Sequence, residues 1–208
     1  WGNRVSILKS LDKLMMRMDH APGQFVLEHE EVDLKVFDGF VHRTFQAEDA
    51  RGFMRSLRSL MEKHGSLECA FQHHAPEGDG PMAIKPMLSG FHRAFMAQPG
   101  VSSRTKKHVA NPEAGSAAKR LNMFLRWMVR PSTRGVDLGL WTSFKPQDLH
   151  IPLDVHTSNV GRKLGLLQRK ANDWRAVDEL TAALREIDPE DPVRLDFALF
   201  GLGAMEGF

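Results

Sequence analysis

The chain has a single cysteine, Cys69, and no tyrosine among its 208 residues. A lone thiol excludes an intramolecular disulfide framework, a cysteine-ligated iron–sulfur cluster and a multi-cysteine zinc site. It also points to an intracellular, reducing compartment. Long apolar runs are lacking too: nothing approaches the ~20 uninterrupted apolar residues that span a bilayer, and no signal-peptide pattern opens the sequence. A cytoplasmic protein with no membrane segment is expected. β-Branched residues are thin, and strand-like alternation is nearly absent. There is no initiator methionine; Trp1 stands first with a helical pattern already running, so preceding residues are expected to be missing. What is present is a globular balance of 42% apolar and 26% charged residues, enough for one domain or two small lobes around a proper core.

Helical periodicity dominates. Val5, Leu8, Leu11 and Met15 recur at helical spacing, so residues 3–18 read as a helix that the APG at 21–23 breaks. Residues 48–64 form a second, with acids in its first turn, Lys63 and His64 in its last and Gly65 as the stop. Residues 82–97 are helical again, with Pro86 in the first turn or at a kink. GSAAKRLNMFLRWMVR carries Leu121, Phe124, Leu125 and Met128 on one face, with Lys119, Arg126 and Arg130 off it. Further helices start at Asp154, over 173–187, and after Asp191, a good N-cap before Pro192. The methionines at 15, 16, 18, 123 and 128 need no explanation beyond core packing. The expected fold is all-α.

Net charge is only +2, but it is unevenly spread. Between Pro99 and Arg134, Arg104, Lys106, Lys107, Lys119, Arg120, Arg126, Arg130 and Arg134 face only Glu113. Acids outnumber bases over 24–50 and again over 173–196. Any surface for a polyanion therefore lies in the middle of the sequence; the plainer reading is a solvated helix face.

Two segments in and after that region form a pattern. NPEAGSAAKRLNMFL puts a turn containing Gly115 before a helix whose first turn carries Lys119, and IPLDVHTSNVGRKLGLL puts Asp154 at the mouth of another. Together they resemble the hairpin lysine and the Pro-x-Asp-x-His segment of the helix-hairpin-helix DNA glycosylases, the superfamily of endonuclease III and the 8-oxoguanine glycosylases. Gly115 matches the first hairpin glycine, whereas Ala117 stands where the second is expected, so the hairpin is degenerate. Lys119 and Asp154 are also further apart in sequence than in typical members, because GVDLGLWTSFKPQ is inserted between them. The longer gap resembles that of the archaeal 8-oxoguanine glycosylases, and the combination of KRLNMFLRWMVR, GVDLGLW, IPLDVH and DPVRLDFALFGLG is still more similar to a bacterial family of uncharacterised proteins beside that branch. The likeness is strong over 115–204 and weaker before.

The resemblance implies a two-lobed helical bundle without an iron–sulfur cluster. Residues 1–208 would form one glycosylase-like domain, with 99–167 as its hairpin and catalytic segment. It implies removal of an oxidised purine such as 8-oxoguanine from double-stranded DNA by a nucleoid-associated monomer, with lyase activity through a lysine Schiff base. Lys119 would be the nucleophile. An amine must be neutral to attack C1′ of the nucleotide, against an ordinary lysine pKa of ~10.4, and the neighbouring Arg120 and the helix N-terminus both push in that direction. Asp154 would stabilise positive charge on the sugar and relay protons; the same residue is also a good helix cap.

DNA contact is expected from the hairpin, where amides around Gly115, Ser116 and Ala117 would bind a phosphate without reading sequence. Arg104, Lys106, Lys107 and Arg120 would neutralise flanking phosphates. Members of the superfamily often hold a monovalent cation at this hairpin; no other cofactor is implied. A flipped base needs a wall and a gap-filling residue, for which Asn3, Trp1, Trp141, His156 and Asp196 are candidates, His156 more naturally as a packing residue and the tryptophans more naturally as core. The alternative is a non-catalytic DNA-binding protein that has kept the hairpin, and a third reading is a helical interaction domain whose basic stripe meets an acidic partner. Neither needs a lysine and an acid at those two helix mouths.

Overall fold

A computed structural model describes residues 3–75 and 83–208. Among these the chain is mostly helical, with nine α-helices, short 3-10 turns and one two-residue hairpin. It divides into two compact units, Trp1–Ala70 with Phe91–Val109 and Phe71–Gly90 with Ala110–Phe208.

The first unit starts with α1 (Arg4–Met16), capped by Asn3, whose side chain accepts the Ser6 N–H at 2.8 Å. Its stripe Val5, Leu8 and Leu11 stays exposed; Leu14 and Met15 are the α1 residues that reach the core of Met18, Val26, Leu34, Phe37, Ala50 and Met54. The APG does end α1, yet Pro22 then opens a further helix, α2 (Pro22–Glu28), that periodicity did not announce because it lasts only two turns. The hairpin β1 (Val41–His42) and β2 (Phe45–Gln46) pairs Val41 with Gln46 and His42 with Phe45. It leads into α3 (Ala47–His64), which has the charge pattern foreseen and a capping box between Gln46 and Asp49. Asp49 is fully buried and also accepts from Arg104 at 2.6 Å and from the Thr105 hydroxyl at 2.9 Å. The unit boundaries fall inside α4 (Leu67–Gln72), a second helix the sequence reading missed, and α5 (Ile84–Met96). Pro86 sits in the first turn of α5, where its missing N–H costs no helix bond.

The second unit is built on α6 (Lys119–Val129), α7 (Val155–Lys163), α8 (Trp174–Ile187) and α9 (Asp196–Ala204). Asp154 and Asp173 cap α7 and α8 by accepting from Thr157 and Ala176. Asp191 does not cap, contrary to expectation: its carboxylate takes the Arg130 guanidinium at 2.8–3.0 Å, and a 3-10 turn over Pro192–Leu195 precedes α9. Small residues let α7 pack closely on both sides. A Cβ added at Gly161 would lie 3.2 Å from Leu180, and one at Gly203 3.0 Å from His156 Cβ and Val160 Cγ2. Gly203→Ala therefore pits up to ~1 kcal/mol of helix propensity against ~1–3 kcal/mol of overpacking. A net loss of about 1 kcal/mol is expected as a lower melting temperature; a rise would mean that α7 and α9 are not this close.

Candidate active site

Lys119 is the first residue of α6, and the turn before it fixes its direction. Gly115 has φ +88° and Ala118 φ +46°, left-handed values that are routine for glycine and strained for alanine. The strain at Ala118 is offset locally. Ser116 Oγ accepts the Ala118 N–H at 3.2 Å, and the Asn122 amide donates to the Ala117 carbonyl at 3.2 Å. Gly115 is tied to the start of α8 through its carbonyl, which accepts the Trp174 N–H at 3.1 Å.

This turn changes the phosphate expectation. The Gly115 and Ser116 amides donate to the Pro112 and Asn111 carbonyls, at 2.9 and 3.3 Å. With Ala118 bonded to Ser116, three amides around the turn are used within it. The carbonyls of Asn111, Pro112, Gly115 and Ala117 likewise each accept a bond already, so a monovalent cation would have to share them.

Lys119 Nζ lies 3.1 Å from Asp154 Oδ2, and Asp154 Oδ1 accepts the Thr157 N–H at 2.8 Å. One carboxylate thus caps α7 with one oxygen and holds the amine with the other. Burial pushes the Asp154 carboxyl upward, but the Thr157 and Lys119 hydrogen bonds and the Lys119 charge outweigh it, leaving the group below its ordinary range and ionised. Both residues line a cleft of about 150 Å³ with Met123, Pro152, Asp196, Phe197 and Phe200.

Asp196 opens α9 and is buried. Its Oδ2 accepts from Arg126 at 2.5 Å, yet burial prevails over that contact, and with the nearby Asp154 charge it pushes the carboxyl up to about 6. Arg126 was expected on the basic, solvent-facing side of its helix; it is instead fully buried. Its Nε lies 3.4 Å from Asp137, and its guanidinium stacks 4.1 Å from the Phe197 ring centroid. Arg130 also pairs with Asp137 as well as with Asp191. The inserted GVDLGLW segment supplies Asp137 and folds back along α6, with Leu138 and Trp141 donating to the Trp127 and Met128 carbonyls at 2.7 and 2.8 Å. Two members of the basic stripe are therefore spent on internal carboxylates.

The remaining candidates are dispersed. Trp141 packs among Phe71, Phe124 and Phe144, with centroids 5.3–5.7 Å away, and is not among the residues lining the cleft. His156 is exposed and meets Phe200 edge-on at 5.6 Å, a packing contact. Arg120 is exposed on α6. Arg104, Lys106 and Lys107 belong to the first unit; there Arg104 is committed to Asp49 and the Thr44 carbonyl, while both lysines are exposed. Asn3 is a helix cap, and Trp1 lies outside the described residues. Phe200 and Met123 were missed as wall residues. The sequence signal for Phe200 was slight, since α9 is apolar apart from Asp196 and only the structure shows Phe197 and Phe200 to be 52% and 38% exposed.

Two larger clefts, of about 380 and 390 Å³, belong to the first unit, and neither sets a lysine beside a carboxylate. No group of three metal-ligating side chains occurs among the described residues. No helix among them is long and apolar enough to cross a membrane.

A family model described as Protein of unknown function (DUF2400) matches residues 1–205. The chain belongs to this family. No curated protein and no solved structure matches it. In this DUF2400 member the KRLNMFLRWMVR, IPLDVH and DPVRLDFALF segments converge on one cleft, each contributing one ionisable group: Lys119, Asp154 and Asp196.

Proposed function

We propose that the chain is a DNA glycosylase of helix-hairpin-helix architecture, with lyase activity, that removes an oxidised purine such as 8-oxoguanine from duplex DNA. The observation that carries this reading is the 3.1 Å pairing of Lys119 with an ionised Asp154 in a cleft walled by Phe197 and Phe200. Asp154 takes the proton of Lys119 and passes it to solvent, and the neutral amine then attacks C1′. The carboxylate then faces the positive charge that builds on the sugar. Exposed phenylalanine rings offer a face for a base taken out of the stack. The amides of Gly115, Ser116 and Ala118 are used within the turn. DNA backbone contact by the second unit therefore rests on the exposed Arg120, the exposed Lys106 and Lys107 being side chains of the first, and affinity falls with added salt.

The test is a panel of lesion-bearing duplexes incubated with and without borohydride, scoring base release and strand nicking separately. Release from an oxidised-purine duplex together with a trapped protein–DNA adduct is the expected result. Duplex binding with no base release on any lesion would leave the non-catalytic DNA-binding protein in its place.

A further inference from the structure

We propose that Asp196 is the general acid that hands a proton to the departing base. This rests on the reading of Lys119 as nucleophile and assigns the half of the reaction that the Lys119–Asp154 pair leaves open.

The geometry separates two carboxylates in one cleft. Asp154 is held ionised by the Thr157 amide and by Lys119, so it accepts protons. Asp196 is buried, and only its Oδ2 is engaged, by Arg126; no protein donor reaches Oδ1 among the described residues. Burial keeps a proton on this group up to about pH 6. Two carboxyl groups driven apart by their surroundings divide naturally into base and acid. Asp196 lies at the cleft wall beside Phe197, whose ring covers Arg126. Among the described residues the charged groups that act on it are Arg126 and Lys119 from α6 and Asp154 from the mouth of α7, with Asp137 behind Arg126. His156 of α7 meets Phe200 one turn further along α9.

The step balances. Neutral Lys119 attacks C1′ and the glycosidic C–N bond breaks, its electron pair going to the base nitrogen. Asp196 gives its proton to the base and becomes a carboxylate. The proton lost by the new C1′ ammonium passes through Asp154 to the ring oxygen as the sugar opens, leaving the iminium and an ionised Asp154. No oxidant, reductant or metal is required.

A duplex that already carries an abasic site has no base to protonate, so it separates this role from the nucleophile's. For the wild-type protein, both base release and borohydride trapping on the abasic duplex need the neutral amine and only release needs the acid, so the ratio of single-turnover release from a lesion duplex to abasic trapping is expected to fall about tenfold per pH unit above roughly pH 6. Asp196→Asn is expected to lose about 10²–10⁴-fold in base release and to trap the abasic duplex like wild type. Because this variant leaves Arg126 short of a partner, its fold is checked by melting; should it unfold, the wild-type pH profile decides alone. A release-to-trapping ratio that does not decline above pH 6, or a folded Asp196→Asn that loses both activities equally, overturns the assignment. Failure of the wild-type protein to trap any abasic duplex removes the Lys119 chemistry itself, and this role with it.

Discussion

Lys119→Ala is expected to abolish borohydride trapping and strand nicking on every lesion duplex while leaving the fold intact. The Lys119 side chain is 47% exposed, so its contact with Asp154 is open to solvent from the lysine side. Exposed pairs of this kind contribute roughly 0–1 kcal/mol. Alanine also has the highest intrinsic helix propensity, so melting should move little. Nothing else in the cleft can replace the amine: Met123, Pro152, Phe197 and Phe200 are not nucleophiles, and the two carboxylates form no Schiff base. Loss of the adduct is therefore complete rather than partial. Lys119→Arg keeps the charge and the contact to Asp154 but cannot form an iminium, so it should bind duplex DNA and trap nothing. Undiminished trapping in the alanine variant would place the nucleophile elsewhere and end the present reading of the cleft.

The long helices were legible because they are amphipathic and well punctuated. Gly65 stops α3, Asp154 and Asp173 start α7 and α8, and Pro86 falls in a first turn where sterics allow it. The short helices α2 and α4 were not, since six or seven residues hold too few repeats for a period to emerge. The same holds for the hairpin at Val41–Gln46, whose strands have two residues each.

Charge was the least transparent feature. A sequence shows how many arginines a helix carries but not which long-range carboxylate they meet, and Arg126 and Arg130 meet Asp137, Asp191 and Asp196 from 7 to 70 positions away. A buried guanidinium without these partners would be strongly destabilising, so the acids at 137, 191 and 196 and the arginines at 126 and 130 constrain one another. What reads as a basic stripe plus an acidic C-terminal stretch is, in part, one internal network. The excess positive surface is correspondingly smaller than the count suggests. The Lys119–Asp154 pairing, by contrast, was expected from the resemblance to the glycosylase hairpin and Pro-x-Asp-x-His segments, and the structure sets the two side chains 3.1 Å from each other. Only the cap was legible from the residues alone, because a short side chain such as Asp154 at a helix mouth is aimed by backbone geometry rather than by packing.

Asp154→Asn discriminates between the two duties that Asp154 performs. Asparagine caps helices about as well as aspartate, and the bond from Thr157 needs only a side-chain oxygen at the Oδ1 position. The fold should survive. The charge is lost, however, and with it both the acceptor for the Lys119 proton and the counter-charge to the sugar cation. Each contribution is of the order of 10²–10³-fold or more, so base release should drop by at least about 10³-fold with duplex binding nearly unchanged. Acid titration supplies an independent check. The folded-state carboxyl of Asp154 sits below its unfolded value of 3.8, so its ionisation contributes stability that is present above that pH and lost as pH falls through the lowered value. The stability advantage of wild type over Asp154→Asn should therefore be present near neutral pH and disappear in acid, whichever duty matters for turnover. A folded Asp154→Asn protein that releases base at the wild-type rate would make this residue a helix cap and nothing more, leaving Lys119 without a proton acceptor in the cleft.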